Sequence, residues 1–332
     1  MDAALQYWCK TGFNSALLTQ AYDSSPAHQH LVKVAFHQHS HLELLVKNDA
    51  DKQGVIGGRL QAAGAFFHAL FSRFPGLNGD ILLTLADGVY PPNYTIPQAD
   101  EAPLFTYCKL QTDQRSLLLP DAHFMATAGY AEMLRLFDEI VANLTWERKD
   151  PRLFWRGSTT GYGMTRELWH ENPRIRLSLL AQSVNNPQLL DTFVSEIVQC
   201  KDTTVRDQIS EAGILRPRVS FLDFIQFRYL LDIDGNCSSW SLFPKLAMNC
   251  VIFKVESPFT QWFYPMLHPW EHFIPVSADL ADLLDKLEWA RANDDVCQRI
   301  AHNARLQILS LSFNKTVDDS ASLLSAVCQC HC

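Results

Sequence analysis

The sequence lacks any apolar run near the ~20 residues needed to span a bilayer, so no membrane-spanning helix is expected. Its opening, MDAALQYWCKTGFNSALL, has an early Asp2 and no basic start ahead of an apolar core, so no secretory signal is expected either. Positive charge is scarce: 28 Lys and Arg stand against 36 Asp and Glu, a net charge of −8. That balance argues against a broad nucleic-acid footprint and against strong docking on an anionic membrane. Two glycine-rich fingerprints are missing. Without GxGxxG there is no sign of a dinucleotide-dependent oxidoreductase, and without GxxxxGK[ST] there is no P-loop. The nine cysteines follow no framework spacing and read as reduced thiols of a cytoplasmic protein.

What is present is a globular chain of 332 residues, 47% hydrophobic and 19% charged, long enough for two domains. Leu60, Ala63, Phe67, Leu70 and Phe74 mark one apolar helix face, which Pro75-Gly76 ends. A buried strand follows at 81–86 and runs into Asp87-Gly88. A proline-rich loop begins at Pro91, and strand and helix signals return at 104–108 and 127–143. The polar, proline-terminated stretch Thr145 to Pro151 reads as a connector and places the boundary between domains 1–150 and 151–332, the last helix being free to pack back on the first. In the second half a strand at 153–155 comes first. The spacing of Leu189, Leu190, Phe193 and Ile197 then predicts a helix over 186–199. Ser277 and Asp294 or Asp295 mark the starts of two further helices. Alternating strands and helices in two blocks favour two α/β domains.

Several segments carry candidate chemistry. Leu230 to Val255 reads as strand, polar loop, helix and strand, a βαβ unit whose loop can present N–H groups and hydroxyls to an anion. Its Ser238, Ser239 and Lys245 suit a phosphate, although a lysine on an isolated helix is usually just part of a solvated face. Arg156-Gly157-Ser158-Thr159-Thr160-Gly161 follows a strand and suits a diphosphate, or else is a turn with one surface arginine. Glu256, just past a strand, suits a ribose diol or is a surface carboxylate. Asp87 stands where an α/β sheet places ligands and suits a general base, or is the aspartate of an Asp-Gly turn. The histidines at 37, 39 and 41 read as exposed polarity on a loop, and His268 and His272, with Pro269 between them, as packing. Cys328, Cys330, His331 and Cys332 offer metal ligands, but on a fraying terminus.

Taken in order, Phe154-Trp155-Arg156-Gly157-Ser158, Tyr229 to Gly235, Ser238-Ser239-Trp240, Lys254 to Ser257, Trp262 to Tyr264 and Leu267 to Val276 resemble glycosyltransferase family 90. This is the family of Rumi-type protein O-glucosyltransferases and capsule xylosyltransferases, with bacterial members tied to lipopolysaccharide synthesis. The resemblance covers roughly residues 150–310 and is weak before that. It implies a GT-B-like fold, two Rossmann-like domains facing across a cleft, with UDP-sugar held chiefly by the second and no essential metal or cofactor. It places Arg156, Gly157, Ser158, Thr159 and Thr160 on the nucleotide-sugar loop and Arg166 after it. Ser238, Ser239 and Trp240 fall on a second phosphate-facing loop, and Asp87 on the base. Where eukaryotic members carry an arginine this chain has Ser241, which suggests the bacterial branch, with Lys245 supplying the charge. The implied activity is an inverting transfer of a hexose or pentose to a bacterial surface glycan such as lipopolysaccharide, in the cytoplasm or peripherally at the inner membrane. The alternatives are a protein O-glycosyltransferase and a non-catalytic nucleotide- or glycan-binding protein.

Overall fold

The structure, a computed structural model, describes residues 3–26, 29–47, 49–89 and 102–330. The chain runs through α1 (Ala3–Thr11), α2 (Ser15–Ser24), β1 (Leu31–His37), β2 (His41–Val46), α3 (Gly54–Arg73), β3 (Gly79–Thr84) and β4 (Leu104–Thr106). Next come β5 (Lys109–Leu110), β6 (Leu117–Leu118), α4 (Ala122–Ala126), α5 (Ala131–Asn143), β7 (Asp150–Ser158), α6 (Pro173–Val184), β8 (Leu190–Glu196) and α7 (Thr203–Glu211). It closes with β9 (Phe227–Asp232), α8 (Leu242–Leu246), β10 (Val251–Val255), β11 (Phe259–Thr260), β12 (Ile274–Val276), α9 (Leu283–Ala292), α10 (Asp294–Leu309) and α11 (Phe313–Gln329). The proline loop after Asp87 lies largely outside the described residues.

The chain is α/β and divides into two compact units. The first comprises residues 1–131, 258–264 and 311–332, and the second 132–257 and 265–310. Unlike a single cut at 150, residues 132–150 fall in the second unit and 258–264 in the first, while α11 also falls in the first. In the first unit a five-stranded sheet runs β2-β1-β3-β4-β6. It is mixed where a Rossmann-like domain would be parallel, because a three-residue loop joins β1 to β2, and a link that short allows only antiparallel pairing. Ala63, Phe66, Phe67 and Leu70, at helical spacing on α3, are fully buried in this unit.

The second unit carries the sheet β12-β10-β9-β7-β8, parallel throughout. Its central strands read as continuous apolar runs because both faces are covered. Leu153, Trp155, Tyr229, Leu231, Val251 and Phe253 form one core with Ile175 and Leu177 of α6 and Leu283 and Leu287 of α9. The segment expected as a helix over 186–199 is instead strand β8. Leu190, Thr192 and Val194 alternate inward while Asp191 and Phe193 are half-buried, a period of two that overrides the helix-like spacing of its large residues. The helix lies earlier, at α6, where Pro173 takes the first turn and Asn172 caps it by accepting from the backbone N–H of Arg174 and Ile175.

Candidate functional site

In the second unit β7, the first strand of its sheet in chain order, lies between β8 and β9. The connections leaving β7 and β9 therefore depart in opposite senses, and the carboxyl ends of these two strands form the topological switch point where open α/β sheets bind ligands. The two loops that meet there are 158–161 after β7 and 233–239 after β9.

One side chain joins them. Arg174 projects from the first turn of α6, and its Nε donates to the carbonyl of Asp234 at 2.8 Å. Nη1 donates to the carbonyl of Ser158 at 3.2 Å and to Thr160 Oγ1, and Nη2 to the carbonyl of Ile233 at 3.3 Å. The guanidinium also sits 5.7 Å from the Trp155 ring. Burial pulls its pKa down to about 10 against the opposing pull of Asp232 and Asp234, so it stays cationic at neutral pH. Two glycines allow the approach. A Cβ on Gly235 would stand 2.8 Å from Thr160 Oγ1, and Gly161 holds φ +131° with its Cβ position 3.3 Å from the Gly235 carbonyl.

Below this layer lie two aspartates. Asp232 is 1% exposed and accepts from Lys245 Nζ at 3.0 Å, and the same ammonium donates to the carbonyl of Leu231 at 3.2 Å. Asp234 is pushed up to about 6 by burial, even though Ser257 Oγ donates to its Oδ2 and Lys254 and Arg174 draw it down.

The expected site residues divide into those at the crevice and those turned away from it. Ser158 and Thr160 are at the crevice through Arg174. The hydroxyl of Ser239 shares a hydrogen bond of 3.0 Å with Ser241, and buried Ser238 Oγ has no hydrogen-bond partner among the described residues. Trp240 is partly buried in the same loop, ahead of α8, and Glu256 is exposed just past β10, its N–H donating to the carbonyl of Val276 at 2.8 Å. Gly157 lies within β7, its carbonyl accepting from Ser195 Oγ at 3.2 Å. Thr159 is fully buried, its hydroxyl exchanging hydrogen bonds with the backbone of Val198.

Three cations expected at a diphosphate are committed elsewhere. Arg156 points to the face opposite Trp155, where Nη2 meets Asp191 at 2.6 Å and the guanidinium lies 5.2 Å from Phe154 and 5.9 Å from Phe193. There it lines a cavity of about 480 Å³ with Arg152, Asp191 and Arg216. Arg166 is exposed and paired at 2.8 Å with Asp202, the cap of α7. Lys245, expected to supply the charge missing at Ser241, is instead sealed at 3% exposure. Its helix packs it against the strand beneath, where Asp232 offsets the cost of burying an ammonium that burial otherwise drives toward neutrality. Arg174, the cation that does reach the crevice, goes unnoticed when motifs alone are read. The signal for it is Asn172-Pro173, a cap and first-turn pair that places the next residue at a helix start.

In the first unit Asp87 follows β3. Arg59, from α3, donates to the carbonyl of Leu85 at 2.7 Å and to Asp87 Oδ1, and so orients the carboxylate. Gly88 passes close to the next connection, since a Cβ there would stand 2.8 Å from the Cys108 carbonyl.

The chain is 28% identical over 218 residues to Protein O-glucosyltransferase 2 of Danio rerio, covering 64% of this chain and 40% of that protein. It is 25% identical over 263 residues to Protein O-glucosyltransferase 3 of Homo sapiens, covering 69% and 48% respectively. The chain thus spans less than half the length of these curated relatives. Among solved structures, Anabaena Alr3699/HepE in complex with UDP and glucose superposes with a TM-score of 0.45 at 9% identity, over 84% of this chain and 83% of that one. The pattern that defines Glycosyl transferase family 90 matches residues 5–326, nearly the whole sequence, and the chain belongs to that family.

Proposed function

We propose that this chain is a UDP-sugar-dependent glycosyltransferase that moves a hexose or pentose to an acceptor hydroxyl by a single inverting displacement without an essential metal. The observation that carries this reading is the switch-point crevice, where 158–160 and 234–239 meet around the half-buried cation Arg174. Hydroxyls, backbone N–H groups and a guanidinium in a partly dry site are the groups that stabilise a departing diphosphate. Membership of Glycosyl transferase family 90 supports the transfer, and relatives named protein O-glucosyltransferases support a hexose. In the proposed step Asp87, oriented by Arg59, takes the proton of the acceptor hydroxyl as its oxygen attacks the anomeric carbon. The bond to UDP breaks and its charge is received by the crevice. Ser158, Thr160, Ser238, Ser239 and Trp240 contact the donor, and Glu256 its ribose.

We take the acceptor to be a bacterial surface glycan such as lipopolysaccharide, following Ser241 in place of the arginine of eukaryotic members. The second acceptor class is a protein hydroxyl, which the names of the relatives favour. We place the reaction in the cytoplasm or at the inner face of the membrane, a reading supported by nine cysteines that follow no framework spacing. No described helix is long and apolar enough to cross a membrane. The test is UDP release from a panel of UDP-sugars with delipidated lipopolysaccharide or a serine-containing protein domain as acceptor. Release stimulated by one acceptor class supports the reading and selects the acceptor. No hydrolysis or transfer with any donor would refute it.

A further inference from the structure

The β1–β2 hairpin gathers metal-ligating chemistry on a face remote from Asp87. Its register sets His37 directly opposite His41, and the two-residue period of a strand puts Glu43 on the same face as His41. The imidazole rings stack with centroids 4.2 Å apart at 24°, and His37 Nε2 lies 4.0 Å from Glu43 Oε2. One ligand atom from each residue falls within 4.8 Å of the others, and among the described residues this is the one such group of three. Glu43 has no lysine or arginine partner among the described residues.

The backbone beneath is held. In the joining turn His39 adopts φ +56° and donates its N–H to the carbonyl of Pro75 at 2.7 Å, while Ser40 N–H donates to the carbonyl of His37 at 2.8 Å. Ser40 Oγ sits 2.9 Å from His41 Nδ1, the outer hydrogen bond that orients a ligating imidazole and leaves Nε2 for the metal. Ligand bonds of about 2.0–2.2 Å put donor atoms roughly 3.3 Å apart, so rotation of these exposed side chains, without backbone movement, closes the set.

We propose that His37, His41 and Glu43 form a surface site for one divalent first-row transition metal ion, with zinc as the reference case. Two imidazoles and a carboxylate suit such ions and not magnesium, which prefers hard oxygen ligands. Three protein ligands leave the remaining positions to water or to a group on a partner molecule. The ion clips the edge strand β2 to β1. The site is independent of the proposed transfer: Leu31, which pairs with Thr84 just before Asp87, lies at the other end of β1, about 20 Å away at strand rise.

The test is calorimetric titration of the full chain with zinc and, separately, magnesium, alongside His37→Ala/His41→Ala and Glu43→Gln, with circular dichroism confirming the fold. One hairpin-dependent equivalent of zinc in the wild type, lost from the double variant and weakened at least about tenfold in Glu43→Gln, supports the site, as does a zinc-induced rise in melting temperature confined to the wild type. Any equivalent retained by the double variant belongs to other ligands, including the C-terminal thiols. Zinc bound identically by wild type and double variant, or by neither, overturns the proposal, and unchanged affinity in Glu43→Gln removes the carboxylate from it.

Discussion

Arg174 Nε donates to the carbonyl of Asp234 at 2.8 Å, and the same guanidinium reaches the carbonyl of Ser158, so one side chain ties the ends of β7 and β9. Replacing it tests both the packing and the binding chemistry of the crevice. Arg174→Ala leaves the Ser158, Ile233 and Asp234 carbonyls without their donor, at a cost of about 3 kcal/mol by urea denaturation. Arg174→Lys keeps the charge but not the fork, and is expected to recover part of the stability while UDP affinity by calorimetry stays at least about tenfold weaker. Wild-type UDP affinity in either variant would remove Arg174 from the donor site.

Asp234 supplies a pH signature. Its carboxyl is raised from 3.8 to about 6, so between those values the folded chain holds a proton that the unfolded chain has released. Stability therefore falls as pH rises through that window, and the penalty is complete above about pH 6. At roughly 1.4 kcal/mol per pH unit it amounts to at most about 3 kcal/mol. Asp234→Asn, whose amide oxygen still accepts from Ser257, should be the more stable protein above pH 6, with the advantage shrinking toward pH 4. Urea midpoints that run parallel for the two proteins from pH 4 to 7 would contradict this.

The Lys245–Asp232 pair is a structural element of the second unit. Lys245→Met strands a buried carboxylate and should cost about 3–5 kcal/mol, whereas Lys245→Met/Asp232→Leu should recover most of that loss. If Lys245 instead met the diphosphate, the double variant would remain stable but lose UDP affinity, which calorimetry distinguishes.

Asp87→Asn is expected to leave UDP binding unchanged and to lower turnover by about 10²–10⁴-fold, the range for a general base. Arg59→Ala, which frees the carboxylate from its tether, should cost less and should do so in kcat more than in UDP affinity. Wild-type turnover in Asp87→Asn would assign the base elsewhere.

Much of this arrangement is legible in the sequence where one physical signal dominates. The runs of β9 and β10 around the 233–239 loop are readable because a parallel strand buried on both faces is continuously apolar. β8 is not, because the spacing of Leu189, Leu190, Phe193 and Ile197 fits a helix face as well as a strand, and burial decides between them. The direction of a side chain is the harder quantity. Arg156 follows Trp155, whose ring faces the core, so strand alternation sends the arginine to the other face, onto Asp191. The fate of Lys245 depended on Asp232 lying beneath its helix, a contact between residues thirteen apart that no local pattern reports. The histidines at 37 and 41 look like loop residues until a three-residue turn brings them opposite each other.

In the proposed function the switch point of the second unit holds the nucleotide of a UDP-sugar. A crystal structure of the chain grown with UDP tests it most directly. The expected result is a diphosphate within hydrogen-bond distance of Thr160 and the 235–239 loop, with the ribose toward Glu256. A nucleotide bound elsewhere on the protein, or no nucleotide at millimolar UDP, would contradict it.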